Sequence, residues 1–545
     1  MHKLCKLLTG TLLSGALFIG FNATAQTAKT AELPKNWHTM DLKTDGQFGI
    51  SLNQAYGLLK GKKSKTVVVA TIDSGIDTAQ NDLKPILWTN PKEIPGNGID
   101  DDKNGYIDDV HGWNFLGGPG GRADYTETTE EVREYNRLKA KYDNLTMAPK
   151  GSEKEFAYWE KVKLTYNTTV NKSKDEIQQL QPVMNALMAT SGYIKKALNI
   201  KSDGSFTAAD LSRIKTPNDT VTRSVYVWKS VFEQEGGASD NAKIITDLSE
   251  YLAKLNNDVS PDLEARKRIV GDDPDVNDGK PYGSNIIKFP DASHGTGVAG
   301  LIGAVRGNKY GIDGVADNVR LMGIKAVPNG DEYDKDIANA IRYAVDNGAK
   351  VINMSFGKKL SPHKAWVDAA FKYAASKDVL LVQASGNDNQ DVDAKPEFPN
   401  DIFEDGSATD ADNVISVGAS SNKPDETLAG SFSNYGKKNV DVFAPGVKVT
   451  SLNMDAEFNT ADGTSFASPI TAGVAALVLE YYPTLSAKQL KQVILESATP
   501  LTGTMVLLPG SKTDKVDFTT LSKAGGVVNA YKALIAASKL KGERK

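Results

Sequence analysis

The stretch TVVVATIDSG at residues 66–75 is an unbroken apolar, β-branched run that closes on an aspartate, a serine and a glycine. Without polar alternation it reads as a strand buried on both faces, as in a parallel sheet covered by helices. The same phrase recurs as AKVINMSFG at 349–357, VLLVQASGN at 379–387 and VDVFAPG at 440–446. Between these runs lie the helical patterns DIANAIRYAVDNG at 336–348 and KAWVDAAFKYAASK at 364–377. The alternation predicts an α/β fold with a doubly wound, mostly parallel sheet. Reacting groups in such a sheet gather beyond the carboxyl ends of the strands, which is where Asp73 falls. A charge at the end of a buried strand is costly unless it is partnered, so Asp73 either caps the turn or works there.

The 545 residues are 40% hydrophobic and 24% charged, with a formal net charge of −4. That balance supports a packed core and offers no basic face for nucleic acid. At the N-terminus, MHKLCK, the apolar run LLTGTLLSGALFIGF and the small residues ATA before Gln26 read as a signal peptide over 1–25. The run is short for a bilayer and broken by Gly10, Ser14 and Gly15, so no stable membrane anchor is expected. Cys5, the only cysteine, precedes it. A processed chain would carry no thiol, consistent with a periplasmic or extracellular destination.

Two more phrases carry chemistry. In DASHGTGVAGLIGAV at 291–305, His294 stands at a helix start, flanked by Gly295, Thr296 and Gly297. In DGTSFASPITAGVAALVLEYY at 462–482, Ser465 opens an apolar helix, with Pro469 expected in the first turn. Alone, the histidine could be structural and the serine a plain N-cap. A nucleophile gains from the same place, because helix N–H groups face any oxyanion formed beside it.

Taken together, TIDSGID, HGTGVAG and GTSFASP resemble the aspartate, histidine and serine motifs of the subtilisin family of serine peptidases, the subtilases, in that family's chain order. ASGND at 384–388 resembles the motif carrying the oxyanion asparagine, here Asn387. The resemblance covers about residues 50–110 and 285–540 and implies acyl transfer on protein or peptide substrates. Ser465 would attack the carbonyl, His294 would move the proton, and Asp73 would hold the imidazole. Asn387 and the Ser465 N–H would receive the oxyanion. Loss of this asparagine costs subtilisin itself about 10²–10³ in turnover, a figure carried over with the resemblance. Ser355, Phe356 and Gly357, with Ala384, Ser385 and Gly386, look like the two walls of the pocket for the side chain before the scissile bond. Their small residues leave room for an apolar or aromatic group, and Asp331, Glu332 and Asp334 suggest a basic residue at another subsite.

Two rivals stand beside this reading. An α/β-hydrolase esterase would run serine, acid, histidine; here serine comes last, and that order rejects the esterase. A non-catalytic scaffold binding a partner would keep the fold without the chemistry. The expected organisation is a signal peptide (1–25), an N-terminal extension (26–65) and a discontinuous peptidase domain (66–110 and 285–540). A helical insert over 125–275 interrupts it, read from Val132, Tyr135, Leu138, Tyr142 and Leu145, then Ile177, Leu180, Met184 and Leu187, then Ile244, Leu248, Tyr251 and Leu255.

One motif stands outside the peptidase phrases. In NGIDDDKNGYIDDVHGW at 97–113, Asp100, Asp102 and Asn104 alternate, Gly105 follows, and Asp108 comes four after Asn104. This is the oxygen spacing of a calcium loop, without the bidentate glutamate of a sensor hand. It predicts a structural Ca²⁺ held by Asp100, Asp102, Asn104 and Asp108. Asp82 and Asn308 match positions of a different calcium site in some subtilases.

Overall fold

The computed structural model describes residues 33–234, 240–407 and 410–544. The signal peptide expected over 1–25 lies outside them. Contacts divide the chain into two compact units, one containing residues 127–262 and the other residues 31–126 and 263–545.

The larger unit is built on a nine-stranded sheet. In chain order the strands are β1 (Val67–Asp73), β2 (Gly112–Asn114), β3 (Val319–Lys325), β4 (Val351–Met354), β5 (Leu380–Ala384), β6 (Val414–Ser420), β7 (Val442–Pro445), β8 (Thr499–Pro500) and β9 (Gly526–Val527). Across the sheet they run β8-β9-β7-β6-β5-β4-β1-β3-β2. Every pairing is parallel except β8 with β9. The longer helices are α1 (Leu52–Leu59), α2 (Ser293–Gly303), α3 (Asp334–Asp346), α4 (Lys364–Ser376), α5 (Thr464–Tyr481), α6 (Ala487–Ser497) and α7 (Ala530–Ala537). The doubly wound α/β fold follows from the two-sided burial of β1. Val67 and Val69 enter one core with Leu301 of α2 and Leu477 of α5, while Ala70 and Ile72 enter the other with Ile341 of α3 and Phe371 of α4. Each Val, Leu, Ile or Phe among them contributes about 1.5–3 kcal/mol on burial.

Helix α5 is the spine of the first core. Every residue from Thr464 to Glu480 is buried, as expected for a helix apolar on all sides. Pro469 sits in its second turn, not the first as expected from the sequence, because the helix already starts at Thr464.

The segment after residue 33, read as an extension, shares this core. Trp37, Ile50, Leu52, Ala55 and Leu59 are buried in it, and Trp37 Nε1 donates to the Lys448 carbonyl at 2.9 Å. Beyond the insert, residues 263–275 also belong to this unit. Arg266 there holds Asp336 of α3 through two hydrogen bonds of 2.7 and 2.8 Å.

The smaller unit is helical: Glu130–Tyr142, the 46-residue helix Glu153–Leu198, Asp219–Gln234 and Asn241–Val259. Leu180, Met184, Leu187, Trp228, Phe232, Ile244, Leu248 and Leu255 form its own core. Leu145 does not join the stripe; it lies past the helix end at Tyr142 and is exposed.

His38 is fully buried with neither ring nitrogen hydrogen-bonded. Burial, with the Arg306 charge adding to it, pushes its pKa down to about 4. Between the ordinary value of 6.5 and 4, the unfolded chain binds a proton that the folded chain refuses. Stability present above pH 6.5 is therefore lost as pH falls through that window, by roughly 3 kcal/mol at most. Urea melts at neutral pH and near pH 4.5 should show His38→Phe losing less stability on acidification than the wild type.

Candidate active site

Asp73 ends β1 at the carboxyl edge of the sheet, and His294 is the second residue of α2. Gly295 allows them to meet. A β-carbon on it would sit 2.1 Å from the Gly75 carbonyl oxygen, so only glycine lets the helix start close against the turn after β1. The Gly295 N–H donates to Ser74 Oγ at 3.2 Å. His294 Nδ1 then lies 2.7 Å from Asp73 Oδ1, which also accepts from the Ser74 N–H. Beside them, Lys325 is fully buried, pairs with Asp291 at 2.6 Å and donates to the Ser74 carbonyl at 2.8 Å. A buried cation so partnered fixes the turn, whereas losing one member would leave a charge stranded.

Desolvation of the His294 ring opposes its protonation, but the Asp73 charge and hydrogen bond outweigh it and raise the pKa above 6.5. The side chain keeps 40% of its surface in solvent, which tempers the desolvation.

Ser465 is the second residue of α5. The ring of its neighbour Phe466 lies 6.2 Å from that of His294, centroid to centroid. Pro469 has no N–H to give the Ser465 carbonyl four residues back. Ser355 Oγ donates to that carbonyl instead, at 3.0 Å, and itself accepts from Asn353 Nδ2 at 2.9 Å. Ser468 Oγ reaches Asn353 Oδ1 at 2.7 Å. The first turn of α5 is thereby tied to the end of β4.

Asn387 follows β5. Its Oδ1 accepts from both the N–H and the hydroxyl of Thr464, at 2.9 and 3.0 Å. The carbonyl end of the amide is thus held against the α5 N-terminus, and Nδ2 remains as a donor. Phe356, Gly357, Ala384 and Ser385 line a cavity closed by residues 396–400. Ser355 turns instead to Ser465, and Gly386 is left-handed at φ +102. The acidic run suggested for another subsite is used internally: Lys358 pairs with Asp334 at 2.9 Å and donates to the Glu332 carbonyl at 2.8 Å. Sequence reasoning missed Thr464 as the clamp on Asn387 and Glu397 in the cavity. The first could have been read from its place before Ser465; the second sits in a loop without a motif.

The acidic loop is drawn differently from its spacing. Oxygens of Asp100, Asp102 and Glu93 lie within 4.8 Å of one another. Glu93 was not anticipated, and its buried Oε2 has no hydrogen-bond partner. Asp108 is taken up elsewhere: its two oxygens accept from the N–H groups of Gly96 and Gly98, each at 2.8 Å. Asn104 shapes the turn, accepting from the Tyr106 N–H and donating to Asp109. Asn308 Nδ2 donates to Asp82 Oδ1 at 2.5 Å, and Asp82 Oδ2 is buried without a partner.

The profile described as the subtilase family matches residues 64–525. The chain belongs to the subtilase family. Among curated proteins, this subtilase is 34% identical over 300 residues to the thermophilic serine proteinase of Bacillus sp. (strain AK1). That match takes in 53% of the chain and 65% of the proteinase, so it spans just under two thirds of that relative. Subtilisin DY of Bacillus licheniformis is 39% identical over 209 residues, covering 38% of the chain and 71% of that protein. Thermitase of Thermoactinomyces vulgaris is 32% identical over 275 residues, covering 50% and 83%.

In this subtilase the His294 imidazole should titrate above the ordinary 6.5. Removing the Asp73 charge leaves desolvation unopposed. NMR titration of the ring should therefore show Asp73→Asn moving its pKa below that of the wild type.

Proposed function

We propose that the chain is an exported serine endopeptidase, hydrolysing peptide bonds through Asp73, His294 and Ser465 by way of an acyl-enzyme. The observation that carries this is the 2.7 Å contact between His294 Nδ1 and Asp73 Oδ1. With Nδ1–H given to the carboxylate, Nε2 is the basic nitrogen, free to take the Ser465 hydroxyl proton and return it to the leaving amine. Asp73 also stabilises the imidazolium while it exists. The oxyanion is received by Asn387 Nδ2 and the Ser465 N–H at the start of α5, where the helix dipole favours negative charge. Phe356 and Gly357 on one side, and Ala384, Ser385 and Gly386 on the other, hold the residue before the scissile bond, while Ser355 ties its wall to the Ser465 carbonyl.

Export rests on the signal-like first 25 residues, with the periplasm or exterior as destination. No helix among the described residues is long and apolar enough to cross a membrane. A non-catalytic scaffold is the alternative that the following test separates. A fluorophosphonate probe should label Ser465, and mature protein should hydrolyse unfolded casein at neutral or mildly alkaline pH. Ser465→Ala and His294→Ala should each abolish turnover by about 10⁴-fold or more, with the double variant hardly worse. Asn387→Ala should lower kcat with KM nearly unchanged. Full activity in Ser465→Ala would overturn the assignment of Ser465, and a wild type that is neither labelled nor hydrolytic would leave the scaffold reading standing.

We also infer a structural Ca²⁺ at the acidic loop. Glu93, Asp100 and Asp102 fit it: hard carboxylate oxygens converge, and one is a buried orphan. Bound there, the ion would brace the loop and neutralise its charge. Chelator should lower the melting temperature and calcium restore it, by mass action on the native state. Glu93→Gln and Asp102→Ala should abolish that response. Asp108→Ala should lower stability while keeping the response, since its oxygens hold the Gly96 and Gly98 N–H groups.

A further inference from the structure

The cavity beside Asn387 contains a carboxylate that the chemistry above does not use. A β-carbon on Gly386 would lie 2.2 Å from Glu397 Oε2, and one on Gly357 would lie 3.9 Å from it. The carboxylate therefore reaches between the two walls, at the space left by their two glycines. Its other oxygen, Oε1, is buried without a hydrogen-bond partner. Around it, Phe356, Val392, Phe398, Pro399 and Ile402 give the cavity an apolar sleeve. Small wall residues alone would suit an apolar guest, as the sequence suggested. A carboxylate among them changes which guest fits best.

We propose that this pocket takes the side chain of a lysine or arginine on the amino side of the scissile bond, and that Glu397 selects it by pairing with its cation. The inference rests on the serine-peptidase reading and adds the substrate class to it. The methylene stem of either guest would lie along the apolar sleeve, with its charged head at the carboxylate. The protein supplies little compensation of its own. Asn434 donates to the carboxylate, Lys359 acts on it only from an exposed position, and Asp388 adds a second negative charge that shares a hydrogen bond with the Glu397 carboxyl. Burial first, and then Asp388, push the Glu397 pKa up to about 8. What the site lacks is positive charge. An entering ammonium or guanidinium provides it and gives the orphan oxygen a donor.

The test uses the mature chain and a set of chromogenic peptides that differ only in the residue before the cleaved bond. Lysine and arginine peptides should exceed phenylalanine and leucine peptides in kcat/KM on the order of 10- to 100-fold, the range of a hydrogen bond to a charged group. Glu397→Gln should collapse that ratio toward one, and Glu397→Asp should keep part of it. Wild type that cleaves after phenylalanine or leucine as well as after lysine overturns the proposal and leaves the peptidase reading intact. So does a Glu397→Gln variant that lowers both classes alike. If no peptide is cleaved and Ser465 takes no fluorophosphonate, both readings fall. Should Glu397→Gln not fold, wild-type inhibition by peptide aldehydes ending in arginine or phenylalanine decides: tighter binding of the arginine aldehyde supports the selection, and equal or weaker binding overturns it.

Discussion

The close approach of two backbones at Gly295 and Gly75 is the constraint on which the site depends. A side chain at Gly295 would drive the start of α2 off the turn after β1, and His294 would move away with it. With glycine there, a hydrogen bond from Gly295 to Ser74 closes the gap, and the imidazole meets Asp73. The buried Lys325–Asp291 pair fixes the same turn from below. Asp73 is thus held by strand pairing, by a neighbouring cation and by backbone contact, before any substrate arrives. Preorganisation of this kind removes reorganisation from the reaction step.

The second half of the site is organised from α5. This helix is buried on all sides, and its N-terminus meets Asn387 beyond β5 and Ser355 beyond β4. Pro469 removes one of its internal hydrogen bonds, and the vacancy is filled by Ser355 from beyond β4. Thr464 fastens Asn387 from beyond β5 in the same way. A helix defect and a helix start therefore become the two links that hold the pocket walls to the serine.

Two groups of buried and half-buried carboxylates differ in how they are partnered. Asp291, Asp334 and Asp336 each have a cation of the same unit: Lys325, Lys358 and Arg266. Glu93 and Glu397 carry an orphan oxygen and no ion-pair partner of that kind among the described residues. The first kind fastens elements together. For the second kind, the proposed cation comes from outside the chain: Ca²⁺ at Glu93 and a substrate side chain at Glu397.

How much was legible beforehand depended on the range of the interaction. Strands β1, β4, β5 and β7, helices α2 to α5, and Asp73, His294, Ser465 and Asn387 could be named from short phrases. Apolar runs and glycine-rich turns are local signals, and the resemblance joined four of them. The helical insert was visible as a 3.6-residue stripe, although Leu145 fell outside it once the helix ended at Tyr142. What only the tertiary structure decided was which polar groups share a neighbour across hundreds of residues. Glu93 joined the acidic loop while Asp108 left it for backbone N–H groups, because carboxylate spacing along a chain does not say which donors fold against it. The N-terminal segment entered the core through Trp37, far in sequence from the Lys448 carbonyl it binds. Glu397 acquired its place from two glycines on two other loops. Periodicity and composition determine what a segment becomes; only packing determines which of its charges are left without a partner.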